Sequence, residues 1–273
     1  RPALPLPPGS MSLTRGGRLR KRWRYLAVFD ERVMLCAARV EVGPMRQSFW
    51  ALWDREGQRR YAHTSFLRGA GAAAIEPGFD PAGPVSLRLR AGEVSADLRF
   101  AESEPIEALC PSGGSYAWTR KRAGMAVTGM LSAGGRNWQL EGAHGVDDLS
   151  AGYHQRHTDW MWSAGVGSAT DGRALAWNLV SGINDPPSAS ERAIWVDGEP
   201  AEPAPVRFEG TEAIEFAGGA RIEFAAESER ARDDNLLILR SRYRHLFGTF
   251  SGSLDGIPLE RGLGVMEEHS ALW

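Results

Sequence analysis

Short stretches in which apolar and polar residues alternate recur about every ten residues along the chain, whereas helical periodicity is almost absent. Trp23–Phe29, Val85–Arg90 and Trp160–Val166 are examples of these stretches. Asp-Gly pairs at Asp171–Gly172 and Asp197–Gly198 fit tight hairpin turns. Many short antiparallel strands joined by such turns predict an all-β protein built as sandwiches or up-and-down barrels.

The only stretch with a plausible helix is residues 65–74, and two glycines weaken it. We therefore expect little helix. A chain of 273 residues can bury one large core or two of ordinary size, and an all-β protein favours two. We predict an N-terminal arm over residues 1–20, a first β-domain over residues 21–144 and a second β-domain over residues 145–273.

Composition narrows the classes of function. The hydrophobic fraction of 42% and the charged fraction of 24% are typical of globular proteins. A formal charge of -2 argues against a nucleic-acid partner, and we interpret the basic run Arg15–Arg24 as an arm lying over an acidic groove of the same molecule. Cys36 and Cys110 form no metal pattern and leave a disulfide open.

No apolar run reaches the ~20 residues that a helix needs to span a bilayer, and the N-terminus lacks the apolar region of a signal peptide. We therefore expect no membrane span, with the cytoplasm as the default location. The sequence does not indicate which oligomeric state the protein adopts.

Titratable residues are densest in residues 144–163, HGVDDLSAGYHQRHTDWMWS. Such a density beside large apolar rings is what a buried acid–base site or a polar ligand pocket requires. The stretch falls where one β-domain would lead into the next, and clefts between domains are favoured places for ligands. A structural alternative is that Arg156 and Asp159 form a buried pair with the histidines hydrogen-bonded beside them. The catalytic candidates are Asp147, Asp148, Tyr153, His154 and His157, with Glu268 from the last strand.

Tryptophans and polar side chains are interleaved after this stretch, because four of the 10 tryptophans lie between Trp160 and Trp195. These rings are either ordinary core or the lining of a cavity for a hydrophobic ligand. Loop residues such as Asn184 and Glu191 are equally well explained as turn residues. The candidates for substrate binding are Arg156, Trp160, Trp162, Trp177, Asn178, Asn184, Glu191 and His269.

His154 and His157, with His269 much later, also suggest a metal site. A zinc site needs three or four ligands in fixed geometry, and this pattern matches no known zinc signature. Acid–base use agrees better with the residues, because imidazole titrates near neutrality and nearby carboxylates tune it. We predict no metal and no cofactor.

Several longer stretches carry a family resemblance: GVDDLSAGYHQRHTDWMWSAGVG, DGRALAWNLVSGINDPPSASERAIWVDG, FGTFSGSL and the terminal GVMEEHSALW, with RKRWRYLAVFD and FWALWD before them. From about Leu4 to Trp273 the chain resembles the bacterial domain-of-unknown-function 2804 family. More remotely it is similar to two-domain lipocalin-like (calycin) proteins such as carotenoid 1,2-hydratase and tocopherol cyclase.

The resemblance implies two lipocalin-like antiparallel β-barrel or sandwich domains and cofactor-free acid–base chemistry on an apolar molecule. The remote relatives protonate a double bond of a polyene or prenyl substrate from an acidic side chain in an aromatic-lined cavity. Their catalytic residues do not align one by one with this chain, so no residue role is carried over.

We therefore expect a small apolar molecule as the partner. The leading hypothesis is a hydratase, cyclase or isomerase that acts on a hydrophobic substrate, with isoprenoids as one class. The alternatives are a lipocalin-like protein that binds an apolar ligand without chemistry and a metal-assisted hydrolase.

Overall fold

The computed structural model describes residues 4–66, 73–236 and 239–273. No helix occurs in these residues, and none therefore is long and apolar enough to cross a membrane. The helix predicted at residues 65–74 falls mainly on residues 67–72, which lie outside the described residues. The strands are β1 (Thr14–Arg15), β2 (Arg18–Leu19), β3 (Lys21–Phe29), β4 (Val33–Val42), β5 (Met45–Asp54), β6 (Arg59–Ser65), β7 (Ala74–Glu76), β8 (Val85–Ala91), β9 (Val94–Phe100), β10 (Ile106–Ser112), β11 (Ser115–Ala133), β12 (Arg136–Gly152), β13 (His157–Ala169), β14 (Ala174–Ser181), β15 (Ala193–Val196), β16 (Glu199–Ala201), β17 (Val206–Glu209), β18 (Ala213–Phe216), β19 (Arg221–Leu236), β20 (Leu239–Leu254) and β21 (Ile257–Leu272).

Two large antiparallel sheets contain nearly all of these strands. The first sheet has the order β6-β5-β4-β3-β12-β11-β9-β8-β7, and β10 pairs with β11. The second sheet has the order β16-β15-β14-β13-β21-β20-β19-β18-β17. The predicted all-β architecture with antiparallel pairing is confirmed.

Alternation along each strand divides the apolar side chains between two kinds of core. In β3, Leu26 and Val28 pack inside the first sheet, whereas Tyr25 and Ala27 face the second sheet. The second sheet encloses its own inner core, which includes Trp177. The face shared by the two sheets is apolar as well, so a third core holds them together.

Several hairpins have both central residues at positive φ, and in two of them the first of these residues is an aspartate. At Asp197 and Gly198 the φ angles are 51° and 89°, and at Asp255 and Gly256 they are 47° and 90°. Positive φ at both positions is the requirement of a type I′ turn, whose twist matches that of the flanking strands. The tight turn predicted at Asp197 is confirmed. The Asp171 pair lies instead in a longer connection, residues 170–173, between β13 and β14.

The chain passes from the first sheet to the second at residues 153–156, because β12 continues to Gly152. The boundary predicted at residue 145 therefore lies inside β12. Residues of the basic N-terminal run bind carboxylates of the same molecule: Arg22 pairs with Glu41, and Arg24 pairs with Asp147. Cys36 and Cys110 are buried, free thiols, so the disulfide left open by the sequence does not form.

Candidate functional site

A cavity of about 180 Å³ lies between the two sheets. Both sheets contribute to its walls through side chains on the faces that they turn toward each other. Aromatic rings dominate the lining: Trp23, Tyr25 and Phe49 from the first sheet, and Trp160, Trp162, Tyr243 and Trp273 from the second part of the chain. Such a lining suits a ligand with a large apolar surface.

Glu267 on β21 is a buried acidic residue in the wall that the second sheet contributes. It stands opposite Trp162 on β13 and opposite His245 on β20 in the strand register. Its side chain is buried, and its Oε1 accepts a hydrogen bond of 2.9 Å from Trp160 Nε1. Burial raises the pKa of Glu267 to about 7, and the hydrogen bond from Trp160 opposes this shift. The carboxyl group is therefore poised to gain or lose a proton near neutral pH.

Two neutral imidazoles flank Glu267. The ring of His269 lies 4.1 Å from that of Trp160, and its Nε2 is 2.8 Å from Ser241 Oγ. His245 Nε2 lies 2.8 Å from the hydroxyl of Tyr25. Burial lowers the pKa of each histidine to about 3, so both rings are uncharged at neutral pH.

A second buried polar group lies where the first sheet borders the cavity. Lys121 on β11 binds Asp148 on β12, and its Nζ is 3.2 Å from Glu191 Oε2. Burial lowers the pKa of Lys121, but the charges of Asp148 and Glu191 outweigh it, and the net shift is upward. Burial also raises the pKa of Glu191. Asn184 Nδ2 donates to Glu191 Oε2 at 2.9 Å and completes the group.

The structure brings several of the predicted site residues together. Trp162 Nε1 donates to Asn178 Oδ1 at 2.8 Å, and Asn178 Nδ2 donates to the carbonyl oxygen of Glu191 at 2.8 Å. Asn178 and Asn184 thus hold cavity residues in place from behind the wall. The predicted residues that line the cavity itself are Asp148, Trp160, Trp162, Glu191 and His269.

Asp147 points away from this cavity, because neighbouring residues of a strand face opposite sides. Its Oδ1 accepts a hydrogen bond of 2.8 Å from Arg24 Nε, and its Oδ2 accepts one of 2.9 Å from Arg24 Nη2. Arg122 Nη2 donates to its Oδ2 at 2.8 Å. All three side chains are buried, so this group is an internal ion cluster.

Tyr153 and His154 are buried next to the end of β12. The hydroxyl of Tyr153 donates to the carbonyl oxygen of Ser12 at 2.7 Å, so it fastens the N-terminal arm. The ring of His154 lies 5.1 Å from the ring of Trp23, and neither ring nitrogen has a hydrogen-bond partner within the described part of the chain. Burial lowers the pKa of His154 to about 3.

Three further candidates lie at the surface. Arg156 is exposed, and His157 pairs with Asp159 at 3.4 Å in solvent. The alternative of a buried Arg156–Asp159 pair is wrong, since both side chains are exposed. Glu268 points away from the cavity and lies 3.3 Å from Arg244 Nη1.

Trp177, a predicted binding residue, belongs to the inner core of the second sheet. Its Nε1 donates to Ser163 Oγ at 3.1 Å. A Cβ on Gly165 would lie 2.3 Å from Trp177 Cζ2, which is too close for two carbon atoms. The indole of Trp177 therefore packs against Gly165 because glycine has no side chain.

The described residues contain no group of three or more His, Cys, Asp and Glu side chains arranged to hold a metal ion. His154, His157 and His269 do not converge, because one lies behind Trp23, one lies in solvent and one lines the cavity.

Sequence reasoning missed Glu267, Arg230, Tyr243 and Lys121. Strand alternation in the terminal GVMEEHSALW places Glu267 on the same face as His269, so parity with that histidine was a usable signal for Glu267 over Glu268. Arg230 lies in an arginine- and acid-rich stretch, SERARDD, that reads as a solvated strand. The long-range pairing of β19, β20 and β21 determines its position.

A second hollow of about 400 Å³ includes Phe29, His144, Trp195 and Arg261 in its lining. Neither Glu267 nor the Lys121 group lines it. The aromatic cavity is therefore the stronger candidate site, because a proton-transferring carboxyl group and apolar rings meet there.

The fold is similar to those of solved proteins. Kievitone hydratase from Nectria haematococca gives a TM-score of 0.63 at 12% identity, covering 91% of this chain and 88% of that chain. A candidate AttH protein from Nitrosomonas europaea gives 0.55 at 12% identity, covering 96% and 97%. The protein CghA gives 0.52 at 10% identity, covering 93% and 88%. These similarities establish a two-domain, all-β, lipocalin-like fold and confirm that part of the prediction.

No curated protein sequence matches the chain significantly. A family model does match residues 84–273, which are more than half of the chain. The stretches after residue 84 that carry the family resemblance lie inside this match, so the predicted membership of that family is confirmed. The chain belongs to the family described as Domain of unknown function (DUF2804).

Proposed function

We propose that this protein is a cofactor-free acid–base enzyme of the hydratase or cyclase type. It acts on a small, largely apolar molecule that binds in the aromatic cavity between the two sheets. The observation that carries the proposal is Glu267: a buried carboxyl group in the cavity wall with a pKa of about 7. Enzymes tune glutamates to this range for general acid or base catalysis, which contributes typically about 10²–10⁴ in rate.

In its protonated form Glu267 delivers a proton to a carbon–carbon double bond of the substrate, and the positive charge then lies on carbon. Trp160 and Trp162 line the same cavity, so their ring faces stabilise that charge through cation–π attraction. After proton transfer Glu267 is an anion, which the hydrogen bond from Trp160 Nε1 favours. Water or a nucleophile of the substrate then attacks the cation.

Asp148, Lys121 and Glu191 supply a second proton-bearing group, and Asp148 and Glu191 line the same cavity as Glu267. Two carboxylates on one ammonium leave excess negative charge, and the raised pKa of Glu191 reflects its burial. This group is suited to accept the proton that the attacking nucleophile loses.

The relatives support this choice of chemistry. One solved structure with the same fold is named a hydratase, and the match covers most of both chains. The identity is 12%, so the argument for this chain rests on its own residues rather than on those of the relative.

The first experiment measures the pKa of Glu267 by infrared difference spectroscopy with ¹³C-labelled glutamate, comparing the wild type with Glu267→Gln. We expect a carboxyl band that titrates near pH 7 in the wild type and is missing from the variant. Titration near 4.5, the ordinary value for glutamate, would remove the basis of the proposal.

The second experiment incubates the protein with a panel of prenylated phenols and polyprenyl acids in deuterated water and follows deuterium uptake by mass spectrometry. We expect Glu267→Gln to bind a reactive panel member as the wild type does and to lose about 10²-fold or more in turnover. Glu268→Gln is the matched control, because its side chain lies outside the cavity.

A binding protein without chemistry is the second candidate function. The aromatic lining favours it, because burying an apolar ligand needs no catalytic group. It predicts that panel members bind the wild type and Glu267→Gln alike and take up no deuterium.

A further inference from the structure

Arg230 on β19 is a buried cation in the wall of the aromatic cavity. Its side chain is 7% exposed. Nη2 donates a hydrogen bond of 2.7 Å to Thr64 Oγ1. Nη1 is buried and has no hydrogen-bond partner among the residues that the structure describes. A guanidinium group with an unused donor is therefore enclosed at the place where a ligand would bind.

No carboxylate of the described residues forms an ion pair with Arg230, whereas other buried arginines all have one. Arg24 and Arg122 share Asp147, and Arg192 binds Asp185. Residues 1–3, 67–72 and 237–238 contain no aspartate or glutamate, so they supply no carboxylate side chain either. Burying a charge without a counter-charge is costly, and proteins rarely retain one without use.

Two aromatic rings hold the guanidinium group in place. Its carbon lies 4.5 Å from the ring centre of Phe49 and 5.4 Å from that of Tyr243. These contacts recover part of the cost of burial, but rings leave the net positive charge in place. The hydroxyl of Tyr243 is also buried; it makes no hydrogen bond of normal geometry among the described residues, and it lies near enough to the Glu267 carboxyl group to lower the pKa of that group. The unused donor of Arg230 and the hydroxyl of Tyr243 thus both belong to the wall of the cavity.

We propose that the ligand of this cavity is an amphipathic acid whose anionic oxygen binds Arg230, with a second hydrogen bond from the hydroxyl of Tyr243. A carboxylate is the simplest such group, and a phenolate or an enolate has the same chemistry. The apolar body of the ligand then lies along Trp160 and Trp162 toward Glu267. The inference rests on the proposed function only in placing the ligand in this cavity.

Arg232 provides a matched control, because it lines the same cavity two residues farther along the same strand. Its guanidinium group is already bound to Asp234, with Nε 3.0 Å from Oδ2. Its charge is therefore compensated within the protein, and an anionic ligand gains little from it.

The test uses two probes of equal shape, 2-naphthoate and 2-naphthamide, whose binding is measured by titration calorimetry at about pH 6, where the acid is ionised. We expect the wild type to prefer naphthoate by about tenfold or more, the size of one charge-assisted hydrogen bond. Arg230→Gln removes the preference, and Arg232→Gln retains it. Arg230→Lys keeps part of it, because the charge remains but the second donor is lost.

Tyr243→Phe tests the second donor without altering the charge, and it guards against a variant of Arg230 that fails to fold. We expect it to weaken naphthoate about fivefold and naphthamide less. Equal binding of both probes to the wild type, no binding of either, or a preference that survives Arg230→Gln would overturn the proposal.

The outcome is separable from that of the proposed chemistry. Glu267→Gln keeps the preference for naphthoate if the anion site is correct, whether or not Glu267 transfers protons. Conversely, Glu267→Gln could lose turnover while the wild type binds the two probes equally. That result would support Glu267 as the catalytic acid and overturn the anion site at Arg230.

Discussion

Two buried polar clusters of this protein, one around Asp147 on β12 and one around Glu267 and Arg230 in the cavity wall, are built on opposite principles. Around Asp147 every charged side chain has an ion-pair partner within the chain, because Arg24 forms a bidentate pair with Asp147 and Arg122 binds the second oxygen of the same carboxylate. In the cavity wall, Glu267 has a raised pKa and Arg230 has no carboxylate among the described residues. The first cluster is complete within the chain, and the second is complete only with a ligand.

This difference separates structural from functional use of buried charge. A satisfied ion cluster fixes one packing arrangement, here that of the strand pairs around β12. Groups left unsatisfied cost stability, and they are retained where they act on something else. The two regions meet at Asp147 and Asp148, adjacent residues whose side chains leave β12 on opposite faces, so that only Asp148 lines the cavity.

The largest effect is expected where the complete cluster is broken. Asp147→Asn leaves Arg24 and Arg122 buried without a counter-charge, which costs about 3–5 kcal/mol of the free energy of unfolding. Urea denaturation at neutral pH measures it. Asp171→Asn is the control, because the Asp171–Arg173 pair is exposed and its loss has little effect. An unchanged midpoint in Asp147→Asn would mean that the cluster is not a structural unit.

A substitution of Glu267 in the cavity is expected to change the free energy of unfolding in the opposite direction. Because the pKa of Glu267 is about 7 in the folded protein against an ordinary 4.5, its contribution to stability is present below about pH 4.5 and is lost as the pH rises through 7. The full loss is about 3 kcal/mol. Glu267→Gln should therefore be more stable than the wild type at pH 8, by up to that amount, in the same denaturation assay.

Glu268→Gln serves as the control, since its side chain is exposed beside Arg244. If Glu267→Gln is less stable than the wild type at pH 8, then the carboxylate is satisfied within the protein. The statement that the cavity cluster is not satisfied within the protein would then be wrong.

The sequence was sufficient for the fold because the fold depends on local patterns. Alternation predicted strands such as Trp23–Phe29, and the family motifs indicated two lipocalin-like units. The Asp197–Gly198 turn was predicted from its residue types, because both positions need positive φ. The boundary predicted at residue 145 lies inside β12, because β11 and β12 are longer than most strands.

The site was predicted only in part, and the reason is geometric. The dense stretch at residues 144–163 contributed Asp148, Trp160 and Trp162 to the cavity, but strand alternation turned Asp147 away. Glu267 and Arg230 come from β21 and β19, and their place depends on pairings between residues distant along the chain. A pattern within one segment contains no information about which other strand will lie beside it.

His154 tests whether an unsatisfied polar group is enough to mark a site. Its ring nitrogens have no partner in the described residues, yet it packs behind Trp23 rather than lining the cavity. Its pKa of about 3 lies below the ordinary 6.5, so the stability that its neutral form provides is present above pH 6.5 and is lost as the pH falls toward 3. By pH 5 the loss is about 2 kcal/mol.

His154→Asn should therefore reduce the decline in stability between pH 6.5 and 5 by about 2 kcal/mol, whatever its effect at neutral pH, while His245 and His269, whose pKa values are also about 3, keep their share of the decline. His157→Asn should leave the decline unchanged, because His157 is exposed. Binding of 2-naphthoate should be the same in both variants. If His154→Asn weakens that binding while the slope stays as in the wild type, the unpaired ring is part of the ligand site, and the cavity extends behind Trp23. If the decline in stability with pH becomes smaller and 2-naphthoate binds as to the wild type, an unpaired buried polar group does not by itself mark a ligand site. Such a group then marks a site only where it also faces the cavity.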